Sequence, residues 1–275
     1  SGHRARTVKV ASITRDPPAS PASPASAGPA QDAGIVNFNS AVVFVIDATS
    51  SMQPYIDRTR QAMEEVLRQA DSAKVGERIR FGLDAFQDDP GKAKGVEYLT
   101  RIFADPNQTT TKDQFLTSMK SLKATPNSTR AYAEDAYAAL DQALSKINWS
   151  RYGGRYIVYI TDASAREGGT AFASTKLRTE QLRTQAQERG VALYALHLKT
   201  QEGKNDHAIA EAQFKRLTAW PGKGPLYFPV EAGDPARFEA DVKRMAQALV
   251  DQVAAPQKAL QAPAAADPKA DPMKQ

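Results

Sequence analysis

The chain has 275 residues, 41% of them hydrophobic and 24% charged, and a net charge of +5. It has no cysteine, which excludes disulfides, thiol catalysis and zinc–thiolate sites, and no apolar run approaches the roughly 18–20 residues a membrane helix needs, so no membrane insertion is expected within it. Its basic residues are scattered, without a basic run or an aromatic-rich RNA motif, so no nucleic-acid partner is expected either.

In chain order, residues 1–34 form a Pro/Ala/Ser-rich linker. The stretch Asp16-Pro17-Pro18-Ala19-Ser20-Pro21 predicts an extended spacer that does not pack. Strand one runs from Ala41 to Asp47, an apolar and largely β-branched run of the kind buried on both faces of a parallel sheet. A helix follows over 54–70. Ile79 to Phe86 alternates as strand two. Strand three, about 96–103, follows Pro90 and Gly91 closely enough to be an antiparallel edge hairpin. Helices fit 112–123 and 133–147.

Strand four is Tyr156 to Thr161, ending at Asp162. An amphipathic helix over 174–189 stops at Gly190, a plausible C-cap. Strand five is Val191 to Leu198, a helix covers 206–219, and strand six is Leu226 to Val230. Asp234-Pro235 then supplies an N-cap followed by a first-turn proline, opening a last helix to about Val253. The domain is thus expected over 35–252, with 253–275 as an Ala/Pro-rich disordered tail. Alternating strands and helices predict an α/β, doubly wound, mostly parallel sheet of about six strands with helices on both faces.

Two of the strands end in aspartate, Val45-Ile46-Asp47 and Tyr159-Ile160-Thr161-Asp162. If they are neighbours, both carboxylates reach one rim, the place where open α/β sheets hold ligands. Thr49 and Ser51 add hydroxyls two and four residues after Asp47. Four hard oxygen donors suit Mg²⁺, Mn²⁺ or Ca²⁺, with water or a ligand completing the shell.

An apolar strand, Asp47-x-Thr49-x-Ser51, and a later strand ending Thr161-Asp162 resemble the von Willebrand factor type A domain and its metal-ion-dependent adhesion site. The resemblance covers about 38–252. It implies a non-enzymatic, metal-dependent protein-binding module. The family's second-loop threonine is not matched. In Ala131-Tyr132-Ala133-Glu134-Asp135-Ala136, setting Leu140, Leu144 and Ile147 on a buried face puts Glu134 in its place, with Asp135 and Thr129 as alternatives. The expected metal set is therefore Asp47, Thr49, Ser51, Glu134 and Asp162. A third carboxylate would lessen the need for an acidic partner group and favour a more structural site, or a neutral or basic partner.

Among type A domains, this combination looks most like those attached to bacterial signalling kinases, such as the C-terminal region of PpkA-type Ser/Thr kinases of type VI secretion systems. That resemblance implies a periplasmic location, an inner-membrane anchor and a kinase domain elsewhere in the full-length protein, and a partner that is a secretion-system or signalling component. Two other readings stand beside it. One is a degenerate type A scaffold that binds no metal. The other is a Mg²⁺-dependent, phosphatase-like hydrolase using Asp47, against which Thr49 stands where such chemistry needs a second carboxylate. No serine nucleophile motif or glycine-rich phosphate loop is present, and His3, His197 and His207 offer no placed base.

Overall fold

The computed structural model describes residues 39–109, 111–127 and 132–261. The linker at 1–34, the end of the tail and Thr129 lie outside them. Strands β1 (Ser40–Asp47), β2 (Ile79–Phe86), β3 (Thr100–Ala104), β4 (Gly154–Thr161), β5 (Ala192–Leu198) and β8 (Tyr227–Val230) form one sheet, in the order β3-β2-β1-β4-β5-β8. Every pairing is parallel except that of β2 with β3, the antiparallel edge. Two-residue strands β6 (Ala219–Trp220) and β7 (Gly224–Pro225) make a small separate hairpin that the sequence pattern does not announce.

Helices α1 (Gln53–Ser72), α2 (Lys112–Ser121) and α6 (Pro235–Gln261) cover one face, and α3 (Ala136–Lys146), α4 (Thr179–Glu188) and α5 (His207–Leu217) the other. Side chains of a strand alternate between faces. Val42, Phe44 and Ile46 accordingly join the α1/α2/α6 core, while Ala41, Val43 and Val45 join the α3/α4/α5 core. All eight residues of β1 are buried, and each fully buried Val, Ile or Phe stabilises by about 1.5–3 kcal/mol over exposure. Asp47 therefore stands at the end of a firmly held central strand.

Several boundaries differ from the sequence expectation. Helix α3 begins at Ala136 rather than 133, because Glu134 pairs with Ala165 as an isolated parallel bridge: its N–H donates to Ser164 O at 2.8 Å, and Arg166 N–H donates to Glu134 O at 2.8 Å. Helix α4 begins at Thr179 rather than 174, since Ser174 N–H donates to the Asp135 carboxylate and Gly168 N–H to Leu177 O. Strand β3 is shorter and later than 96–103, the preceding chain being held by Gln87, which takes the Glu97 N–H on its side chain. Helix α6 continues to Gln261, past the expected end at Val253 and through Pro256. The cap readings hold: Gly190 adopts φ +63 after α4, and Asp234 accepts the Ala236 N–H at 2.9 Å. Among the described residues no helix is long and apolar enough to cross a membrane.

Candidate metal centre at the carboxyl rim

The winding of the sheet reverses at the junction of the parallel strands β1 and β4, since β2 lies to one side of β1 while β5 and β8 continue beyond β4. A crevice at such a switch point is where this architecture places ligands. Asp47 ends β1, and Asp162 directly follows β4.

After β1 the chain leaves the sheet in extended form at Thr49 (φ −73, ψ 170) and makes a single 3-10 turn over Ser50–Met52 before α1. That path folds Thr49 back onto Asp47. Its N–H donates to Asp47 Oδ1 at 2.8 Å and its hydroxyl to the same oxygen at 2.6 Å. The other oxygen, Oδ2, accepts the Thr161 hydroxyl at 2.7 Å. The Ser51 hydroxyl, on the exposed 3-10 turn, faces the Asp162 carboxylate and acts to lower its pKa. Asp47, Thr49, Ser51 and Asp162 are thus brought together.

Both carboxylates are buried, and among the described residues neither has an ion-pair partner. Burial first, and then the charge of Asp162, push Asp47 up to about 7, against the hydrogen bonds from Thr49 and Thr161. Burial also raises Asp162, opposed by the Ser51 and Tyr132 hydroxyls. Two like charges out of water, joined only by neutral donors, are satisfied by a proton or by a cation. The donor set is all oxygen and fits a hard divalent ion.

Glu134 goes elsewhere. Arg166, buried in the loop after β4, forms a two-pronged pair with Asp88 at 2.7 and 3.0 Å, and also stands 4.0 Å from Glu134 Oε2 and 3.8 Å from Asp135 Oδ2. Among the described residues no group of three His, Cys, Asp or Glu side chains gathers for a metal, and Glu134 stands beside Arg166. Asp135 meets the backbone of Ser174 as well as Arg166, and burial raises its pKa.

Sequence reasoning missed Thr161 as a donor to Asp47, although its place directly before Asp162 on a neighbouring strand was the available signal. It also missed the Asp88–Arg166 pair, which no local pattern joins. His197 is buried, its Nδ1 2.9 Å from the Tyr227 hydroxyl, and burial holds its pKa down at about 3. It packs edge-on against His207 and Phe214. Gly168 and Gly169 do give the loop room to turn: Gly169 has φ +90, and a Cβ on Gly168 would stand 2.2 Å from the Lys176 carbonyl.

The family model described as the von Willebrand factor type A domain matches residues 41–224. Among solved structures, the pilus adhesin SpaC from Lactobacillus rhamnosus GG is similar in fold, at 15% identity and a TM-score of 0.59 over 78% of this chain and 31% of the adhesin. Its open conformation gives 15% identity and a TM-score of 0.58 over 78% of this chain and 30% of the adhesin. This chain thus spans about a third of the adhesin's length, and at such identity the likeness concerns the fold alone. No curated protein matches the sequence.

Proposed function

Since the chain belongs to the von Willebrand factor type A family, whose domains are in general protein-interaction modules, we propose that its carboxyl rim is a protein-binding face organised by one divalent cation. Asp47, Thr49, Ser51 and Asp162 are the oxygen donors in this reading. The observation that carries it is the pair of buried carboxylates, Asp47 and Asp162, at the switch point, without a basic partner among the described residues. The bound ion would supply an electrophilic centre with positions open to a partner's oxygen. Glu134 is left out of the set, its charge answered by Arg166. With two carboxylates rather than three, an acidic partner group is the better complement, which reverses the expectation of a neutral or basic one.

The surroundings support a protein partner. Among the described residues three large apolar side chains are exposed, Tyr132 (37%), Phe172 (49%) and Ile209 (60%). All three lie on the segments that border the carboxyl rim: before α3, between β4 and α4, and in the first turn of α5. The biological setting in this reading is the periplasmic sensing or assembly domain of a secretion-linked Ser/Thr kinase, supported by the Asp47-x-Thr49-x-Ser51 and Glu134-Asp135 segments. An alkaline phosphatase fusion to the full-length protein, active only outside the cytoplasm, tests the location.

Calorimetry with Mn²⁺, Mg²⁺ and Ca²⁺ on the wild-type protein and on Asp47→Asn tests the cation. Binding that the substitution abolishes is expected, and absence of wild-type binding at millimolar metal overturns the reading. A metal-free scaffold is the second reading, favoured by one observation: both Asp47 oxygens already accept hydrogen bonds. A Mg²⁺-dependent phosphatase assay should give no turnover that depends on Asp47.

A further inference from the structure

Tyr132 precedes α3, in the segment where the family's second-loop residue falls. Its hydroxyl reaches to the end of β4, 3.3 Å from the Asp162 carbonyl oxygen and 3.4 Å from Asp162 Oδ2. It also lies 3.2 Å from Thr200 Oγ1. The phenol has one proton, and Thr200 brings its own. With Thr200 donating to the phenol oxygen, the phenol proton is left for Asp162. The chain after β5 is shaped around this group. A Cβ on Gly203 would stand 2.3 Å from the Tyr132 hydroxyl and 2.9 Å from its Cζ, so glycine there leaves the space the hydroxyl fills.

Asp162 is consequently met by hydroxyls from two sides, with Ser51 on the segment before α1 lowering its pKa and Tyr132 on the segment before α3 within hydrogen-bond reach. Groups that hydrogen-bond a ligating carboxylate fix its orientation and tune the metal. Orientation matters unequally among hard cations. Mg²⁺ demands near-ideal octahedral geometry at short distance, whereas Ca²⁺ accepts flexible shells.

We propose that Tyr132 is a positioning residue of the cation site, which fixes the Asp162 carboxylate through its hydroxyl and so biases the site toward the smaller, geometrically stricter ion. This rests on the reading of the rim as a cation site. Tyr132 supplies from its side chain what Glu134, turned to Arg166, does not supply from the same segment.

The test is titration of Mg²⁺ and Ca²⁺ into the wild-type protein, Tyr132→Phe and Gly203→Ala, with thermal melts of each in chelator. Tyr132→Phe removes only the hydroxyl, and Gly203→Ala displaces it without altering the tyrosine. Both should weaken Mg²⁺ binding about tenfold and leave Ca²⁺ binding within about twofold, with unchanged metal-free melting temperatures. Wild-type binding that neither variant alters overturns the role of Tyr132 alone. So does an equal loss for both ions, or a loss that follows a fall in metal-free stability. A wild-type protein that binds neither ion overturns the cation reading itself, and this inference with it.

Discussion

The Thr161 hydroxyl donates to Asp47 Oδ2 at 2.7 Å across the junction of β1 and β4, the two strands at which the winding of the sheet reverses. Thr161 stands on the same face as Tyr159 and Ile157, as Asp47 does with Val45 and Val43, so the pairing register itself sets the bond. Thr161→Val keeps the volume and removes the donor. A hydrogen bond to a charged group is worth about 1.5–3 kcal/mol, so the variant should bind Mn²⁺ roughly tenfold more weakly. Calorimetry on the folded variant checks this, and unaltered affinity would remove Thr161 from the site.

Asp84 gives the domain a pH dependence of its own. It lies in β2, fully buried, and among the described residues neither oxygen has a well-formed hydrogen-bond partner. Burial pushes it up to about 8, with only the Ala85 backbone N–H opposing. Between the unfolded carboxylate value of about 4 and about 8, the folded state holds a proton that the unfolded state has released. Its contribution to stability is therefore fully present below about pH 4 and is lost as pH rises through about 8, at up to about 1.4 kcal/mol per pH unit. Asp47 adds a loss of the same sign up to about 7 in the metal-free protein. Asp84→Asn should flatten the profile between about pH 5 and 8 and stabilise the domain at pH 8. Urea denaturation at pH 5, 7 and 8 measures this, and an unchanged slope would refute it.

The buried cluster around Arg166 should dominate the stability of the rim. One guanidinium answers Asp88, Glu134 and Asp135. Arg166→Met strands three buried carboxylates and should cost about 3–5 kcal/mol, the usual result of breaking a buried pair from one side. Glu134→Gln removes the most distant partner, which has no hydrogen bond to the guanidinium, and should cost less than Arg166→Met, with Mn²⁺ affinity within about twofold of wild type. A larger loss of affinity would restore Glu134 to the metal set.

Strands β1, β2, β4 and β5 were legible because buried parallel strands are written as local apolar runs, and Asp47 and Asp162 because each run stops at a carboxylate. The caps at Gly190 and Asp234 were equally local. What was not legible depends on partners far along the chain. The starts of α3 and α4 are displaced by backbone bonds between segments about 30 to 40 residues apart, Glu134 with Ser164 and Asp135 with Ser174. The Glu134 expectation rested on helical spacing, and no helix exists at that position. Its carboxylate stands 4.0 Å from Arg166, which is itself held by Asp88 on a third segment. Tyr132 was passed over because its hydroxyl matters only once Thr200, Gly203 and Asp162 surround it.

The paired glycines of the loop after β4 should respond differently to the same substitution. Gly168 has no left-handed requirement, but a Cβ there would stand 2.2 Å from the backbone C and O of Lys176 and 2.7 Å from Leu177 O. Those are main-chain atoms, held by the Gly168 N–H bond to Leu177 O at 2.7 Å, and they have no flexible end to swing away. Gly168→Ala must break that contact and move the segment carrying Phe172, so it should cost about 2–3 kcal/mol and weaken capture of any partner bound through the rim. Gly169 has φ +90 and nothing within 4 Å of an added Cβ. Gly169→Ala meets only backbone strain, about 1–2 kcal/mol, and leaves the loop's path in place. Hydrogen exchange of the 163–178 amides separates the two, with faster exchange across the loop expected for Gly168→Ala alone. Equal exchange in both variants would mean that the close contact with Lys176 does not hold the loop.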